Sequence, residues 1–147
     1  MALDKDGNIF AADTGNNVVK MFDEKGSFLQ SVGSQGSGDV KLNRPGSVAV
    51  DAADKLLVAD NGNHRMCIFD PQGTFMQSFG KRGSAEGKLE SPRGVALNSD
   101  GKIMVADTEN NRVQIFDAQG KVSAVQAVPR ANFRVRIILR WTTAISS

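Results

Sequence analysis

Three aspartates recur at a fixed interval and are the first candidates for chemistry in this sequence. Asp13, Asp60 and Asp107 are spaced 47 residues apart, each follows an alanine, and each begins a turn. Carboxylates in such places could bind calcium or act in acid–base catalysis. They could also accept hydrogen bonds from the amides of the turn that follows, as in an Asx-turn, and the sequence favours this second interpretation.

His64 is the single histidine of the chain and could bind a metal or transfer a proton. The positions 47 residues before and after it hold Asn17 and Asn111. Asparagine suits a turn because it tolerates a positive φ. We therefore interpret His64 as a turn residue.

Cys67, the single cysteine, occupies a position that holds Lys20 one period earlier and Gln114 one period later. These polar equivalents predict a half-exposed strand position, and no base other than His64 is at hand to activate the thiol. One histidine and one cysteine also fall short of the usual ligands of a zinc site. The sequence thus predicts no catalytic residue, no metal and no cofactor, and the chain is not expected to be an enzyme.

The whole sequence repeats with the same period, and the repeat defines the elements that position these residues. Residues 13–23, 60–70 and 107–117 are three copies of one segment. A fixed period of about 20–50 residues indicates a repeat architecture. Within each period, β-prone runs alternate with turns rich in Gly, Asn, Asp and Pro, which is the pattern of successive hairpins.

The second period predicts four strands, at residues 46–50, 55–59, 65–69 and 74–79. Four-stranded repeats of about 40–50 residues are typical of β-propeller blades. We predict an all-β fold of about three four-stranded antiparallel blades in an open arc, a partial propeller. The repeats span residues 1–121, divided into 1–33, 34–80 and 81–121, and residues 122–147 form a divergent basic tail.

The repeats resemble NHL repeats, which begin with Pro-x-Gly-Val-Ala-Val-Asp and continue with Val-Ala-Asp-x-x-Asn-x-Arg-Val-x-Val-Phe. A segment with a spaced pair of phenylalanines, the second followed by glycine, closes each NHL repeat. The long Gly-rich joins are similar in particular to the NHL domains of tripartite-motif (RING, B-box, coiled-coil) proteins. The matching segments of this chain are Pro45-Gly-Ser-Val-Ala-Val-Asp51, Val58-Ala-Asp-Asn-Gly-Asn-His-Arg-Met-Cys-Ile-Phe69 and Gly73-Thr-Phe-Met-Gln-Ser-Phe-Gly80.

This resemblance implies a non-catalytic recognition module that reads RNA or a protein partner for a ubiquitin ligase whose RING lies outside this chain. NHL propellers of that kind usually have six blades, so three blades form an open arc. The chain is then a fragment, or two arcs associate through their open blade edges. A metal-dependent lyase or lactonase, as found among six-bladed relatives, is the alternative function, and a plain structural scaffold is a third.

Nothing in the sequence predicts insertion into a membrane or secretion. The 147 residues contain no apolar run of the roughly 18 residues that a bilayer span needs. The amino end lacks the apolar core of a signal peptide. A single cysteine fits a reducing compartment, and we expect a cytoplasmic location.

The tail differs from the repeats in charge and in pattern. Residues 1–121 hold 14 Lys and Arg against 16 Asp and Glu, whereas residues 122–147 hold four arginines and no acidic residue. The third repeat stops matching after Gly120, and residues 133–137 alternate like one strand outside the repeats. We hypothesise that the tail is a foreign ending, from alternative splicing or a faulty gene model.

Charge is distributed unequally between the two ends of the predicted blades. In an up-and-down blade, the loop into the first strand and the turn between the second and third strands lie on one side, which we call the loop face. This face is mildly basic and the opposite one acidic, so single-stranded RNA is a natural ligand, while a merely solvated rim is the plain alternative. The predicted RNA- or partner-binding residues are Lys41, Arg44, His64, Arg65, Lys81, Arg82, Lys88, Arg93 and Arg112.

Overall fold

Three four-stranded antiparallel sheets follow one another along the chain, as the repeat predicts. The structure is a computed structural model that describes residues 1–33 and 41–129. Strands pair in sequence order within every sheet, so each sheet is an up-and-down blade. The prediction of an all-β partial propeller is confirmed.

The strands are short, and their bounds keep the 47-residue period. Blade 1 consists of β1 (Ala2–Leu3), β2 (Ile9–Asp13), β3 (Val18–Phe22) and β4 (Phe28–Val32). Blade 2 consists of β5 (Ser47–Val50), β6 (Leu56–Asp60), β7 (Arg65–Phe69) and β8 (Phe75–Phe79). Blade 3 consists of β9 (Gly94–Leu97), β10 (Ile103–Asp107), β11 (Arg112–Phe116) and β12 (Val122–Ala127).

Blade 3 extends beyond residue 121, where the sequence motif ends. Its fourth strand, β12, pairs antiparallel with β11 from Arg112↔Ala127 to Phe116↔Val122. The lost phenylalanine and glycine of the motif are therefore not needed for pairing, because Val122 and Val125 keep a β-prone sequence beside β11. The remainder of the predicted tail, with the possible strand at residues 133–137, lies outside the described residues.

Most of the core lies between neighbouring blades. Phe10, Val19 and Val32 of blade 1 pack against Leu56, Val58 and Phe69 of blade 2. The other side of blade 2 packs in the same way against blade 3, through residues such as Leu57, Met66, Ile103 and Phe116. Blade 2 thus buries both of its apolar faces against its neighbours, which is the packing of a repeat protein, and a smaller cluster around Ala106 and Val113 lies within blade 3.

Cys67 lies in this core, and the prediction that it is half exposed is wrong. Its side chain is buried between blades 1 and 2, and burial raises the pKa of the thiol to about 12. The polar residues at the equivalent positions misled the prediction. Val19 and Met21 pack toward blade 2, so Lys20 between them lies on the other side of blade 1. Gln114 is buried but bonds to other polar groups.

The outer side of blade 1 leaves apolar side chains in solvent. Leu3 is 63% and Phe28 57% exposed, whereas Val50 and Phe75, their equivalents in blade 2, pack against the core. Self-association through open blade edges stays a prediction. In the part of the chain that the structure describes, no helix is both long and apolar enough to cross a membrane.

Candidate functional site

The loops of the predicted loop face lie against one another. The loop into β5 meets the β6–β7 turn, where the Gly62 amide donates to the Asn43 carbonyl at 2.7 Å. The loop into β9 meets the β10–β11 turn, where the Glu109 amide donates to the Glu90 carbonyl at 3.1 Å. The predicted binding residues therefore lie on one side of the arc, within residues 41–46, 61–65, 81–93 and 108–112.

Each turn on this face consists of a short 3₁₀ segment that ends in a left-handed residue. Asn17, His64 and Asn111 have φ values of 59°, 53° and 50°. The prediction that His64 is a turn residue is confirmed. A left-handed conformation is uncommon outside glycine and favours Asn, Asp and His among the other residues.

The left-handed residues also join successive blades. Asn17 Oδ1 accepts a hydrogen bond from the Arg44 amide at 2.8 Å, and His64 Nδ1 accepts one from the Ser91 amide at 2.9 Å. The acceptor and the donor are 27 residues apart in both pairs. Because Nδ1 accepts, His64 carries its ring proton on Nε2 in this arrangement. The histidine therefore has a structural bond that the sequence alone did not predict.

Asp60 and its period-mate Asp107 are buried completely, and the Asx-turn predicted for them is wrong. Neither carboxylate bonds to the amides of its own turn. Asp60 Oδ1 accepts from the Asn43 amide at 2.7 Å, and Oδ2 accepts from Asn63 Nδ2 at 3.0 Å and Arg65 Nε at 2.8 Å. The carboxylate is thus tied to the preceding loop, to its own turn and to the next strand.

Asp107 has the same environment one period later. Its Oδ1 accepts from the Glu90 amide at 2.7 Å. Its Oδ2 accepts from Asn110 Nδ2 at 3.0 Å, Arg112 Nε at 2.7 Å and Gln114 Nε2 at 3.1 Å. Burying a carboxylate is costly unless it is paired and hydrogen-bonded, and these four donors meet that requirement.

Blade 1 pairs its aspartate differently, because valine stands where the other blades have arginine. Asp13 Oδ2 accepts from Asn16 Nδ2 and lies 2.9 Å from Lys20 Nζ. Bonds from Asn16 and Lys20 lower the pKa of the Asp13 carboxyl. A cation two residues farther along β3 therefore replaces the arginine. In this blade too, the carboxylate bonds chiefly to side chains, and the Asn16 backbone amide has the smallest effect on its pKa.

Three of the candidate arginines already have partners within the protein. Arg65 and Arg112 form the ion pairs with Asp60 and Asp107, and Arg112 also donates to the carbonyls of Ser84, Ala85 and Lys88. These bonds fix the irregular segment between blades 2 and 3. Arg82, which is largely exposed, pairs with Glu90 at 2.9 Å.

Two other arginines, Arg44 and Arg93, are exposed and line one cleft. The cleft has a volume of ≈ 230 Å³ and is bordered by Thr14, Arg44, Gly46, Asn61 and Arg93. Among the described residues, neither guanidinium has a hydrogen-bond or ion-pair partner. Lys41, Lys81 and Lys88 are exposed on the same face. These five cations are the predicted binding residues whose side-chain charge remains available.

The candidates for metal chemistry do not assemble into a ligand set. Within residues 1–33 and 41–129, no three side chains of His, Cys, Asp or Glu lie close enough together to hold a metal ion. Asp60 and Cys67 are neighbours, but the thiol is protonated and donates to the carboxylate at 3.7 Å. That contact is a buried hydrogen bond and offers no open coordination position.

The repeated segment is recognised as the NHL repeat in two places. Residues 42–69 and 89–116 match that family. The first stretch covers the loop into blade 2 and its first three strands, and the second covers the same part of blade 3. The chain therefore contains NHL repeats, as the resemblance implied. None of the curated protein sequences compared with the chain matches it.

Several solved structures contain a similar arrangement of blades. A streptogramin B lyase superposes with a TM-score of 0.66 at 16% identity, covering 87% of this chain and 39% of its own. The hydrazine synthase of Kuenenia stuttgartiensis superposes with a TM-score of 0.68 at 18% identity, covering 88% of this chain and 36% of its own. The virginiamycin B lyase of Staphylococcus aureus superposes with a TM-score of 0.63 at 12% identity, covering 86% of this chain and 40% of its own. Identities this low show the fold alone, which is that of a β-propeller. The chain spans about two-fifths of the length of these structures.

Proposed function

We propose that this chain is a non-catalytic recognition module that binds single-stranded RNA on its loop face. The observation that carries the proposal is the pair of exposed arginines, Arg44 and Arg93, which line one cleft and have no partner among the described residues. Lys41, Lys81 and Lys88 are exposed on the same side. Cations that are not engaged inside the protein can neutralise phosphates, and this supplies most of the affinity in sequence-tolerant RNA binding.

The composition of the face sets the kind of binding to expect. Residues 41–46, 61–64, 81–93 and 108–111 contain no phenylalanine, tyrosine or tryptophan on which a base could stack, and their one imidazole, that of His64, is only 20% exposed and bonds to the Ser91 amide. Contacts to the phosphates and sugars therefore dominate, and the module should bind RNA with strong salt dependence and little preference for sequence. This expectation separates it from readers that stack bases on aromatic platforms.

Salt-dependent binding of a short single-stranded RNA, measured by fluorescence anisotropy, tests the proposal. Replacing the five available cations by glutamine should weaken binding and flatten the slope of log K against log salt by up to about 3.5, since each phosphate contact contributes about 0.7 on single strands. A matched control replaces Lys5, Lys25, Lys55 and Lys102 on the opposite face and should bind like the wild type. Equal binding by both variants, or no binding by the wild type, contradicts the proposal.

The resemblance to tripartite-motif proteins adds a proposal about the whole protein. In such a protein this module would select the RNA or protein target of a ubiquitin ligase. NHL repeats support this idea without being specific to it, because the same fold occurs in lyases. Sequencing the transcript across codons 1 and 121 tests it, since a RING-coding segment upstream is the expected result.

The enzyme hypothesis remains the alternative, and no contact among the described residues favours it. A metal-dependent lyase or lactonase would require a bound ion. Metal analysis of the purified protein distinguishes the two functions, because a stoichiometric ion would favour the enzyme. A protein partner in place of RNA is the third outcome.

A further inference from the structure

The cleft between Arg44 and Arg93 is formed by all three blades. Thr14 comes from the β2–β3 turn of blade 1, and Arg44 and Gly46 come from the loop into blade 2. Asn61 begins the β6–β7 turn, and Arg93 precedes the first strand of blade 3. The cleft therefore exists only where three consecutive blades meet.

The backbone around this cleft is fixed by bonds that cross between blades. Thr14 Oγ1 donates to the Pro45 carbonyl at 2.8 Å, and Asn61 Nδ2 donates to the Pro92 carbonyl at 3.2 Å. Gly46 has no space for a side chain, because an added Cβ would lie 2.9 Å from the Arg93 carbonyl oxygen. The main chain that carries both arginines is therefore preorganised, and a ligand would have to order only the two side chains.

The groups that line the cleft select for an anion. Two guanidiniums present up to ten N–H donors and no acceptor. No carboxylate borders the cleft among the described residues, in contrast to Arg65, Arg82 and Arg112, each of which has an acidic partner. The Thr14 hydroxyl proton and one Asn61 amide proton are committed to backbone carbonyls. The two arginines therefore dominate the chemistry of the cleft.

The size of the cleft suits a small anion. Its ≈ 230 Å³ is below the range of about 300–1,000 Å³ that pockets for drug-sized ligands occupy. One phosphate group fits between the two arginines. Arginine binds phosphate in a fork geometry through two parallel N–H bonds, and two such forks can clamp one tetrahedral anion.

We propose that Arg44 and Arg93 clamp one phosphate group in this cleft, at the junction of the three blades. The inference rests on the proposed function in one respect, since a phosphodiester of bound RNA is one source of that group. Free inorganic phosphate has the same chemistry and is the second source. In either case the cleft is a localised subsite, and the lysines around it contribute only diffuse attraction.

Calorimetric titration with inorganic phosphate at low ionic strength tests the subsite, with acetate at the same concentration as the comparison. The wild type should bind phosphate, and the double variant R44Q/R93Q should bind it about tenfold or more weakly, because bonds to charged groups are lost. R44K/R93K keeps the charge but loses the fork and should fall between them. R82Q is the control on the same face and should bind like the wild type.

RNA anisotropy on the same variants separates the subsite from the proposed function. If RNA binds the wild type and R44Q/R93Q equally while the five-cation variant fails, the proposed function stands and a phosphodiester of RNA is not the group that the clamp holds. If phosphate binds and RNA does not, the clamp stands and the proposed function is wrong. Equal phosphate binding by the wild type and R44Q/R93Q overturns the clamp. Tighter binding of acetate or of an acidic peptide than of phosphate, lost in R44Q/R93Q, also overturns it, because the occupant is then a carboxylate.

Discussion

Both ends of each blade use aspartates in their turns, but the aspartates of the two ends bond to different parts of the chain. On the acidic face, Asp51 Oδ1 accepts from the amides of Ala53 and Lys55. The turns between the first and second strands and between the third and fourth strands of every blade have the same pair of bonds. In each, one side-chain oxygen accepts from the backbone amides two and four residues after it. The acceptors are Asp4, Asp23, Asp51, Asp70, Asn98 and Asp117. On the loop face, Asp60 and Asp107 reach across 17 residues to the preceding loop.

This difference separates turns that form by themselves from turns that depend on the whole blade. An acidic-face turn needs only its own few residues, so its aspartate is an element of local structure. A loop-face aspartate is buried, and its bonds exist only when the preceding loop and the third strand of the blade are in place. The turns of the loop face therefore take up their geometry only when the tertiary structure has formed. The same face has the available cations.

Removing one loop-face aspartate should have the largest effect on stability. Asp60→Ala removes the buried carboxylate that accepts hydrogen bonds from the Asn43 amide, Asn63 Nδ2 and Arg65 Nε. We expect a loss of about 3–5 kcal/mol in the free energy of unfolding, measured by urea denaturation. Asp51→Asn is the matched control and should change stability by less than about 0.5 kcal/mol, because Asn98 accepts the same two bonds in blade 3. Comparable losses in both variants would remove the distinction between the faces.

A methyl group at the contact between blades 2 and 3 should have the next largest effect. Gly46→Ala places a Cβ at 2.9 Å from the Arg93 carbonyl oxygen and 3.0 Å from its Cα. Because the obstacle is backbone, we expect a loss of about 1–3 kcal/mol in urea denaturation. Gly15→Ala, also on the loop face, meets nothing within 4 Å and should be nearly neutral. A neutral Gly46→Ala would show that the joint between blades is loose.

The joint made by His64 allows a more selective test of similar size. His64→Asn restores the residue found at the equivalent positions of the other blades, so it should keep both the left-handed turn and an acceptor for the Ser91 amide. His64→Ala loses the acceptor and should cost about 1–3 kcal/mol, because the amide is then left without its partner. Thermal unfolding of the two variants measures the difference. Equal stability of the Ala and Asn variants would assign the bond no role.

The smallest expected effect is a pH dependence of stability that arises from an aspartate of the acidic-face turns. The Lys121 amide, and then the Gln119 amide, donate to Asp117 and lower the pKa of its carboxyl below 3.8. A folded-state pKa below the unfolded one stabilises the fold above the unfolded pKa, and this contribution is lost as pH falls through the folded pKa. Asp117→Asn removes this dependence, so the stability of the wild type should fall relative to the variant below about pH 4. Parallel stability curves in acid would contradict this expectation.

The strands and the turn conformations were predictable because the sequence contains three copies of each. Comparing His64 with Asn17 and Asn111 identified a left-handed position from residue types alone. The same comparison failed for Cys67, because equivalent positions in different blades do not have equivalent neighbours. Blade 1 has an open side where blades 2 and 3 have a packed one, and the sequence of a single repeat does not show this.

The bonds of the loop-face aspartates were not predictable from their own turns, since one partner lies 17 residues upstream. One signal was nevertheless present. Asp60 and Arg65 end and begin the two strands of one hairpin and are cross-strand partners, and Asp107 and Arg112 repeat the arrangement. A recurring carboxylate at the end of an apolar strand, opposite a recurring arginine, indicates an internal ion pair rather than two binding residues.

The joint between blades has a consequence for how proteins of this kind could change in length. At the joints between blades 1 and 2 and between blades 2 and 3, the earlier blade contributes a left-handed Asn or His and a Thr or Asn at the start of the same turn. The loop into the later blade contributes an amide 27 residues and a carbonyl 31 residues farther along the chain. A duplicated gene segment of one full period would therefore encode both halves of the contact. Whole blades could be gained or lost during evolution without any new interface having to arise.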